Sequence, residues 1–176
     1  ESYHHMGLHR TTIEPYMPAR GTFATSATDD YAEHVTPIVE AVAREYGIAY
    51  DTPTRLTAED RAAMKVVTIF PNFVLLTVGD VVNWLVFTPL AVDRTEVRAG
   101  FLLPPSALPA GEDMATLRAG MQQSLETING EDEQATALQQ KAAQSRFAER
   151  GALSPKEGVL PHFYRYLARV LAPVEG

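Results

Sequence analysis

A run of apolar and β-branched residues in the middle of the chain gives the clearest structural pattern. Residues 66–78 and 81–90 are rich in Val, Leu, Phe and Thr, and Gly79-Asp80 lies between them. This pair predicts a two-residue hairpin turn, because glycine readily takes positive φ. A second turn is predicted at Asp93-Arg94, followed by a strand over residues 95–103. Together these segments predict an antiparallel meander.

Shorter elements are predicted before and within the meander. Residues 30–38 have the composition of a strand, and residues 39–47 that of a short helix closed by Gly47. Thr57-Ala-Glu-Asp60 is close to a capping box and predicts a helix to about Lys65. Pro71 cannot donate to a ladder, so we expect it at a sheet edge or a bulge.

The C-terminal third is predicted to be helical. An apolar stripe at helical spacing indicates a helix that faces the core, and its members are Met114, Leu117, Met121, Leu125 and Ile128. Asn129-Gly130 is expected to end this helix, and a second, polar helix is predicted over residues 131–147.

A third helix is predicted from Ser154-Pro155-Lys156-Glu157, where Ser serves as N-cap and Glu completes the capping box. Pro161 then lies inside this helix and is expected to kink it, because proline removes a backbone donor. Leu160, Phe163, Leu167 and Val170 are expected to give the helix a buried apolar face.

Composition and charge narrow the class of protein. A chain of 176 residues fits one domain, and 45% apolar with 21% charged residues is ordinary for a soluble globular protein. The net charge of −7 argues against a nucleic-acid surface. The chain has neither a long apolar run nor a signal peptide, so we expect a cytoplasmic protein without a membrane span. The absence of cysteine excludes disulfides and thiolate metal sites.

Candidate metal chemistry is concentrated at the start of the chain. Glu1, His4, His5 and His9 lie within nine residues, and these are three of the five histidines. Imidazole is a common ligand of transition metals. On a regular helix, spacing alone favours His5 with His9, which are four residues apart. A solvated helix face is an equally simple interpretation, and a zinc hydrolase is a third one, although it lacks the Glu expected directly after the first histidine.

The sequence Glu1-Ser-Tyr-His4, followed by four residues and His9, resembles the iron-binding motif of Rieske-type non-haem iron ring-hydroxylating oxygenases. The similarity is to the C-terminal catalytic domain of their large (alpha) subunit. Phe70-Pro71-Asn72, the central hairpin and the Pro-x-x-x-Asp-Arg-Thr turn at residues 89–95 are also similar to this family.

The resemblance implies a ligand set. His4 and His9 correspond to two iron ligands, and Glu1 corresponds to the acid that bridges to a Rieske cluster in a neighbouring subunit. The third ligand of the family is an Asp in an acidic pair ahead of a helix with a Gln, which matches Asp132 and Gln140 here. The competing carboxylates are Glu131, Glu133 and Asp113. Acids in a first helical turn also interact favourably with the helix dipole when no metal is present.

The resemblance further implies an α+β helix-grip fold, with a curved antiparallel sheet closed by a long C-terminal helix. Residues 1–176 would be a catalytic-domain fragment that lacks the N-terminal Rieske domain and its [2Fe-2S] cluster, because that cluster needs cysteine. The implied reaction is O₂ activation at a mononuclear Fe(II) to hydroxylate an aromatic or other apolar compound. The implied partners are a ferredoxin, a reductase or both, within a homotrimer that sometimes includes a small beta subunit.

The alternative is a non-enzymatic helix-grip domain that binds an apolar ligand. Phe70, Trp84 and Phe87 are candidates for pocket walls, although core packing is the more common role of such residues. His34 and His162 have no motif partners, so we expect structural roles for both.

Overall fold

The computed structural model describes residues 24–38, 56–104, 113–148, 151–153 and 157–172. Within them the chain forms one antiparallel sheet of six strands whose spatial order follows the sequence. The strands are β1 (Ala24–Ala27), β2 (Tyr31–Pro37), β3 (Ala63–Ile69), β4 (Phe73–Val78), β5 (Val81–Ala91) and β6 (Arg94–Leu102). The helices are α1 (Ala58–Arg61), α2 (Met114–Ala143) and α3 (Leu160–Leu171).

The predicted fold class is confirmed. The molecule is α+β, with an open, curved antiparallel sheet and helices after it in the chain, as in the helix-grip arrangement. The predicted strand over residues 30–38 corresponds to β2, whereas β1 was not predicted. The predicted helix over residues 39–47 lies outside the described residues.

The turns of the meander agree with the sequence in one place and differ in two. Val78 pairs with Val81 around Gly79-Asp80, and Gly79 has φ 56°, so the predicted hairpin is confirmed. Ala91 pairs with Arg94, so the next turn is Val92-Asp93, one residue earlier than predicted. Pro71 lies in the turn between β3 and β4, where no ladder donor is needed, and the predicted edge or bulge is wrong.

The helix boundaries differ more from the sequence predictions. Asn129-Gly130 does not end a helix, because α2 runs without a break from Met114 to Ala143. The two helices predicted here are therefore one. Glycine lowers helix stability by only about 1 kcal/mol, which the good helix formers around it can offset.

The last helix begins later than predicted. Among the described residues α3 starts at Leu160, so Pro161 occupies the first turn. The backbone N–H groups of a first turn have no partner inside the helix, so proline is tolerated there and the predicted kink is wrong. No helix in the described part of the chain is both long and apolar enough to span a bilayer.

The pleat of the sheet separates its side chains into two faces. Direct cross-strand pairs place one row on a single face: Thr25, His34, Val66, Leu76, Asn83 and Phe101. We call this the inner face. A Cβ placed on Gly158 would lie 3.4 Å from Thr25 Oγ1, so the backbone that leads into α3 approaches this face. The alternate row contains Trp84 and Gly100 and belongs to the outer face.

Aromatic packing and an ion pair hold α3 against the first strands. The ring of Phe70, which is 7% exposed, lies 5.5 Å from the ring of Phe163 and 5.4 Å from that of Tyr166, measured between centroids. At the other end of the helix Arg169 Nη2 donates to Asp29 O at 3.0 Å and to Asp30 Oδ1 at 2.8 Å. The helix therefore covers the β1–β2 hairpin.

Candidate metal centre

Asp132 lies on the half-buried side of α2. The half-buried residues Met121, Leu125, Ile128 and Asp132 follow one another at intervals of three or four. This spacing places them on one helical face. The apolar stripe predicted from the sequence thus continues past Asn129-Gly130 on the same helical face. The next position on this face is the carboxylate of Asp132.

The competing carboxylates have different surroundings. Asp113 is the N-cap of α2 and accepts a hydrogen bond from Thr116 N at 2.7 Å, which lowers the pKa of its carboxyl group. Glu133 is exposed, whereas Glu131 and Asp132 are half-buried. Asp113 therefore has a structural role, and Glu133 points to solvent.

The local backbone around Asp132 is regular helix. Thr136 Oγ1 donates to Asp132 O at 2.9 Å and to Glu133 O at 3.1 Å, so this hydroxyl is used within the helix. Apart from the backbone of its own helix, no described residue lies within 4 Å of a Cβ placed on Gly130.

The other proposed site residues, Glu1, His4 and His9, lie outside the described residues, as does the alternative ligand His5. Within the described ranges, no group of three or more His, Cys, Asp or Glu side chains is placed to hold a metal ion. The convergence of His4, His9 and Asp132 on one metal therefore stays a prediction.

Among the described residues, three polar side chains are buried in the sheet. His34 is 5% exposed, Thr36 1% and Asn83 8%. Asn83 Nδ2 donates to Gly100 O at 3.1 Å, which ties β5 to the edge strand β6. His34 and Thr36 are neighbours on the inner face of β2, since they are two residues apart in a strand.

The comparison with protein families gives a match over nearly the whole chain. The family model described as the ring hydroxylating alpha subunit (catalytic domain) matches residues 1–173. The chain belongs to this family. The resemblance inferred from the motifs is therefore confirmed at the level of the catalytic domain of the ring-hydroxylating alpha subunit. A search of the curated proteins finds no match.

The three aromatic residues predicted as pocket walls of this ring-hydroxylating alpha subunit lie in different parts of the sheet. Phe70 belongs to the core under α3, as expected. Trp84 lies on the outer face over Gly100, so it is not in the inner-face row. Phe87 is half-buried and pairs with Val97.

The two histidines without motif partners also differ. His162 Nδ1 lies 3.0 Å from Arg165 Nη2 on the surface of α3, in agreement with a structural role. His34 is buried on the inner face, and so is Thr36, which the sequence predictions did not single out. The alternation of β2 carried the signal, because a strand over residues 30–38 places residues 34 and 36 on the same side.

Proposed function

We propose that this chain is the oxygen-activating part of a ring-hydroxylating oxygenase, with Fe(II) held by His4, His9 and Asp132. Membership of the family supports an oxygenase acting on aromatic compounds. Two neutral imidazoles and one carboxylate form the facial triad typical of non-haem Fe(II) oxygenases, and this arrangement leaves coordination positions open for O₂ beside the substrate. The half-buried position of Asp132 fits a ligand that faces inward.

Glu1 has a positioning role in this proposal. It precedes His4 by three residues, a spacing that would place the two side chains on one face if this segment were helical. The carboxylate of Glu1 accepts a hydrogen bond from the N–H of the second ring nitrogen of His4, which fixes the tautomer and orientation of the ligand. The same carboxylate faces the electron donor across a subunit boundary.

The electrons are supplied from outside the chain. A Rieske [2Fe-2S] cluster needs two cysteines and two histidines, and the chain contains no cysteine. We propose that the Rieske cluster of a neighbouring subunit delivers the electrons, and that a ferredoxin or reductase reduces it. A closed head-to-tail ring of three subunits gives every iron site a donor, with or without a small beta subunit.

The inner face of the sheet is suited to an apolar substrate. Val66, Leu76 and Phe101 supply half of the six side chains in its central row. Removing an apolar compound from water onto such a surface is favourable in proportion to the area covered. Whether one or two oxygen atoms are transferred depends on substrate and electron supply rather than on the ligand set.

The single observation that carries the proposal is the family match from residue 1 to residue 173, which spans all three proposed ligands. The test is anaerobic reconstitution with Fe(II) followed by metal analysis of the parent and two variants. The parent and Glu133→Ala should each bind about one iron per chain, whereas Asp132→Ala should lose most of it, because a triad with one ligand removed binds weakly. Equal iron content in all three proteins would exclude Asp132 from the site.

A further inference from the structure

The hydroxyl group of Thr36 is buried without a partner. Thr36 is 1% exposed, and its Oγ1 makes no hydrogen bond within the described part of the chain. Most buried side-chain polar atoms in proteins have a partner, so an exception calls for an explanation. Leaving such a group unsatisfied lowers the stability of the folded protein, because the hydroxyl loses its hydrogen bonds to water and gains none in return. Valine, which has nearly the same shape, would avoid that cost.

A second polar side chain accompanies this hydroxyl on the inner face. His34 is 5% exposed and lies two residues before Thr36 in β2, so their side chains emerge on the same side of the strand. Together they can donate and accept hydrogen bonds. Their cross-strand neighbours on β3 are the apolar residues Val66 and Met64, so these two polar side chains lie within an apolar surface.

The surrounding face is uncharged. The cross-strand rows through Thr25, Ala27 and Thr36 contain apolar residues, threonines, His34 and Asn83, and no Asp, Glu, Lys or Arg occupies them. Burying an unpaired ionised group costs far more than burying a neutral polar one. Asp80 lies in the turn that flanks the Thr36 row, and its negative charge disfavours an anion further.

We propose that Thr36, with His34 beside it, forms a polar subsite for a neutral hydrogen-bonding group of the substrate, such as a carbonyl, amide or hydroxyl. The subsite deepens the proposed function and rests on it, because the inner face is taken as the substrate surface. The substrate is then a mainly apolar compound with one neutral polar substituent, rather than a plain hydrocarbon or a carboxylate.

Four probes of nearly the same shape test this substrate class. They are acetophenone, α-methylstyrene, benzoate and benzamidine, which place a carbonyl, a methylene, an anion or a cation on the same phenyl ring. Binding to the purified protein is measured by calorimetry without O₂ or reductase. Acetophenone should bind roughly tenfold or more tightly than α-methylstyrene, since satisfying a buried donor contributes about 1–3 kcal/mol. Equal binding of these two, tighter binding of either ion, or no binding of any probe overturns the proposal.

Two threonine variants locate the preference. Thr36→Val should abolish the preference for acetophenone over α-methylstyrene, whereas Thr77→Val, on the outer face opposite Lys65, should keep it. Without ligand, Thr36→Val should also raise the Tm, because the unsatisfied hydroxyl is replaced by a methyl group. A lower Tm would show that the hydroxyl has a structural partner, and it would overturn the subsite.

Failure of the subsite and failure of the proposed function are distinguishable. An iron-binding oxygenase that treats acetophenone and α-methylstyrene alike retains the function and loses the subsite. A protein that shows the preference and loses it in Thr36→Val, but binds no iron, retains the subsite and loses the oxygenase proposal.

Discussion

Close packing of the Trp84 indole ring against the backbone of Gly100 on the neighbouring strand explains why this position of the sheet is glycine. A Cβ placed on Gly100 would lie 2.6 Å from Trp84 Cζ2, closer than a side chain can approach without displacing the indole ring. The indole ring therefore lies directly over the backbone of β6. Here glycine is needed for its lack of a side chain, since its backbone conformation is one that other residues adopt.

We predict that Gly100→Ala lowers the free energy of unfolding by about 1–3 kcal/mol, the usual cost of adding volume to a packed site. Urea denaturation followed by the fluorescence of Trp84 measures it. Gly120→Ala is the control, because no atom lies within 4 Å of its added Cβ in α2. That control should gain about 0.5–1 kcal/mol from higher helix propensity. Unchanged stability of Gly100→Ala would mean that Trp84 moves aside at no cost.

The contact of Trp84 with Gly100 could not be predicted from the sequence, because it depends on register. The predicted turn at Asp93-Arg94 would set Trp84 opposite Leu103, whereas the observed turn alone would set it opposite Phe101, and the observed partner is Gly100. Small register shifts change every pair along a hairpin, and a shift of one residue moves each side chain to the other face. The irregularity between Pro89 and Ala91 adds a further shift that no local pattern indicates.

Among the elements, α1 agrees with the sequence in its chemistry and differs in its length. Thr57 Oγ1 accepts from Asp60 N at 3.1 Å, and Asp60 Oδ2 accepts from Thr57 N at 3.0 Å, so the predicted capping box is confirmed. The helix ends at Arg61 instead of Lys65, since Lys65 belongs to β3. From this strand Lys65 Nζ reaches Asp60 Oδ1 at 2.6 Å.

This ion pair predicts a pH dependence. The hydrogen bond from Lys65, with those from Thr57, holds the pKa of Asp60 well below its usual range, and the same contact raises the pKa of Lys65. The stabilisation is therefore present above the unfolded pKa of Asp, about 3.9, and below that of Lys, about 10.4. It is lost as the pH falls below the first value or rises beyond the second.

The measurement is the urea denaturation midpoint between about pH 7 and pH 3, across the unfolded pKa of Asp. The parent should lose more stability on acidification than Asp60→Asn, which has no carboxylate to protonate. Glu59→Gln is the control, because Glu59 is the exposed neighbour in the same helical turn. It should follow the parent. If the urea midpoints of the parent and Asp60→Asn fell equally with pH, protonation of Asp60 would not contribute to the loss of stability in acid.

The helices show why local stop signals are weak evidence. Asn129-Gly130 is typical of a helix end, yet α2 continues through this pair. One such signal contributes about 1 kcal/mol or less, so the good helix formers on both sides of it can offset it. The predicted capping box at Ser154-Pro155-Lys156 lies outside the described residues. The stripe correctly predicted a helix before Asn129-Gly130, but the single helix that carries both the stripe and Asp132 was not predicted.

For the whole molecule, the fold followed from motifs spread along the chain, and the family match confirms it. The candidate site is less accessible to sequence reasoning. In the sequence, all six strands lie between His9 and Asp132, so the periodicity of apolar residues cannot show whether the two side chains meet. Glu131 and Asp132 are half-buried whereas Glu133 is exposed, so the structure separates Glu133 from the other two acids, which their adjacent positions in the sequence could not do.

The absence of cysteine leads to a prediction for the whole molecule. The chain loaded with iron and mixed with reductase and NAD(P)H should give no sustained hydroxylation, because it cannot hold a Rieske cluster. The control is the iron-loaded chain with hydrogen peroxide, which supplies oxygen and electrons together and bypasses the cluster. Sustained product formation with reductase and NAD(P)H, above the level reached with peroxide, would refute the need for an external electron donor.

A crystal structure of the iron-loaded protein, with anomalous scattering recorded at the iron edge, shows whether the proposed ligands share one metal ion. We predict one iron atom with His4, His9 and Asp132 as its protein ligands, at the distances of about 2.0–2.2 Å usual for nitrogen and oxygen ligands of such metals. Iron bound by His5 instead of His4, or an Asp132 carboxylate remote from both imidazoles, would contradict it.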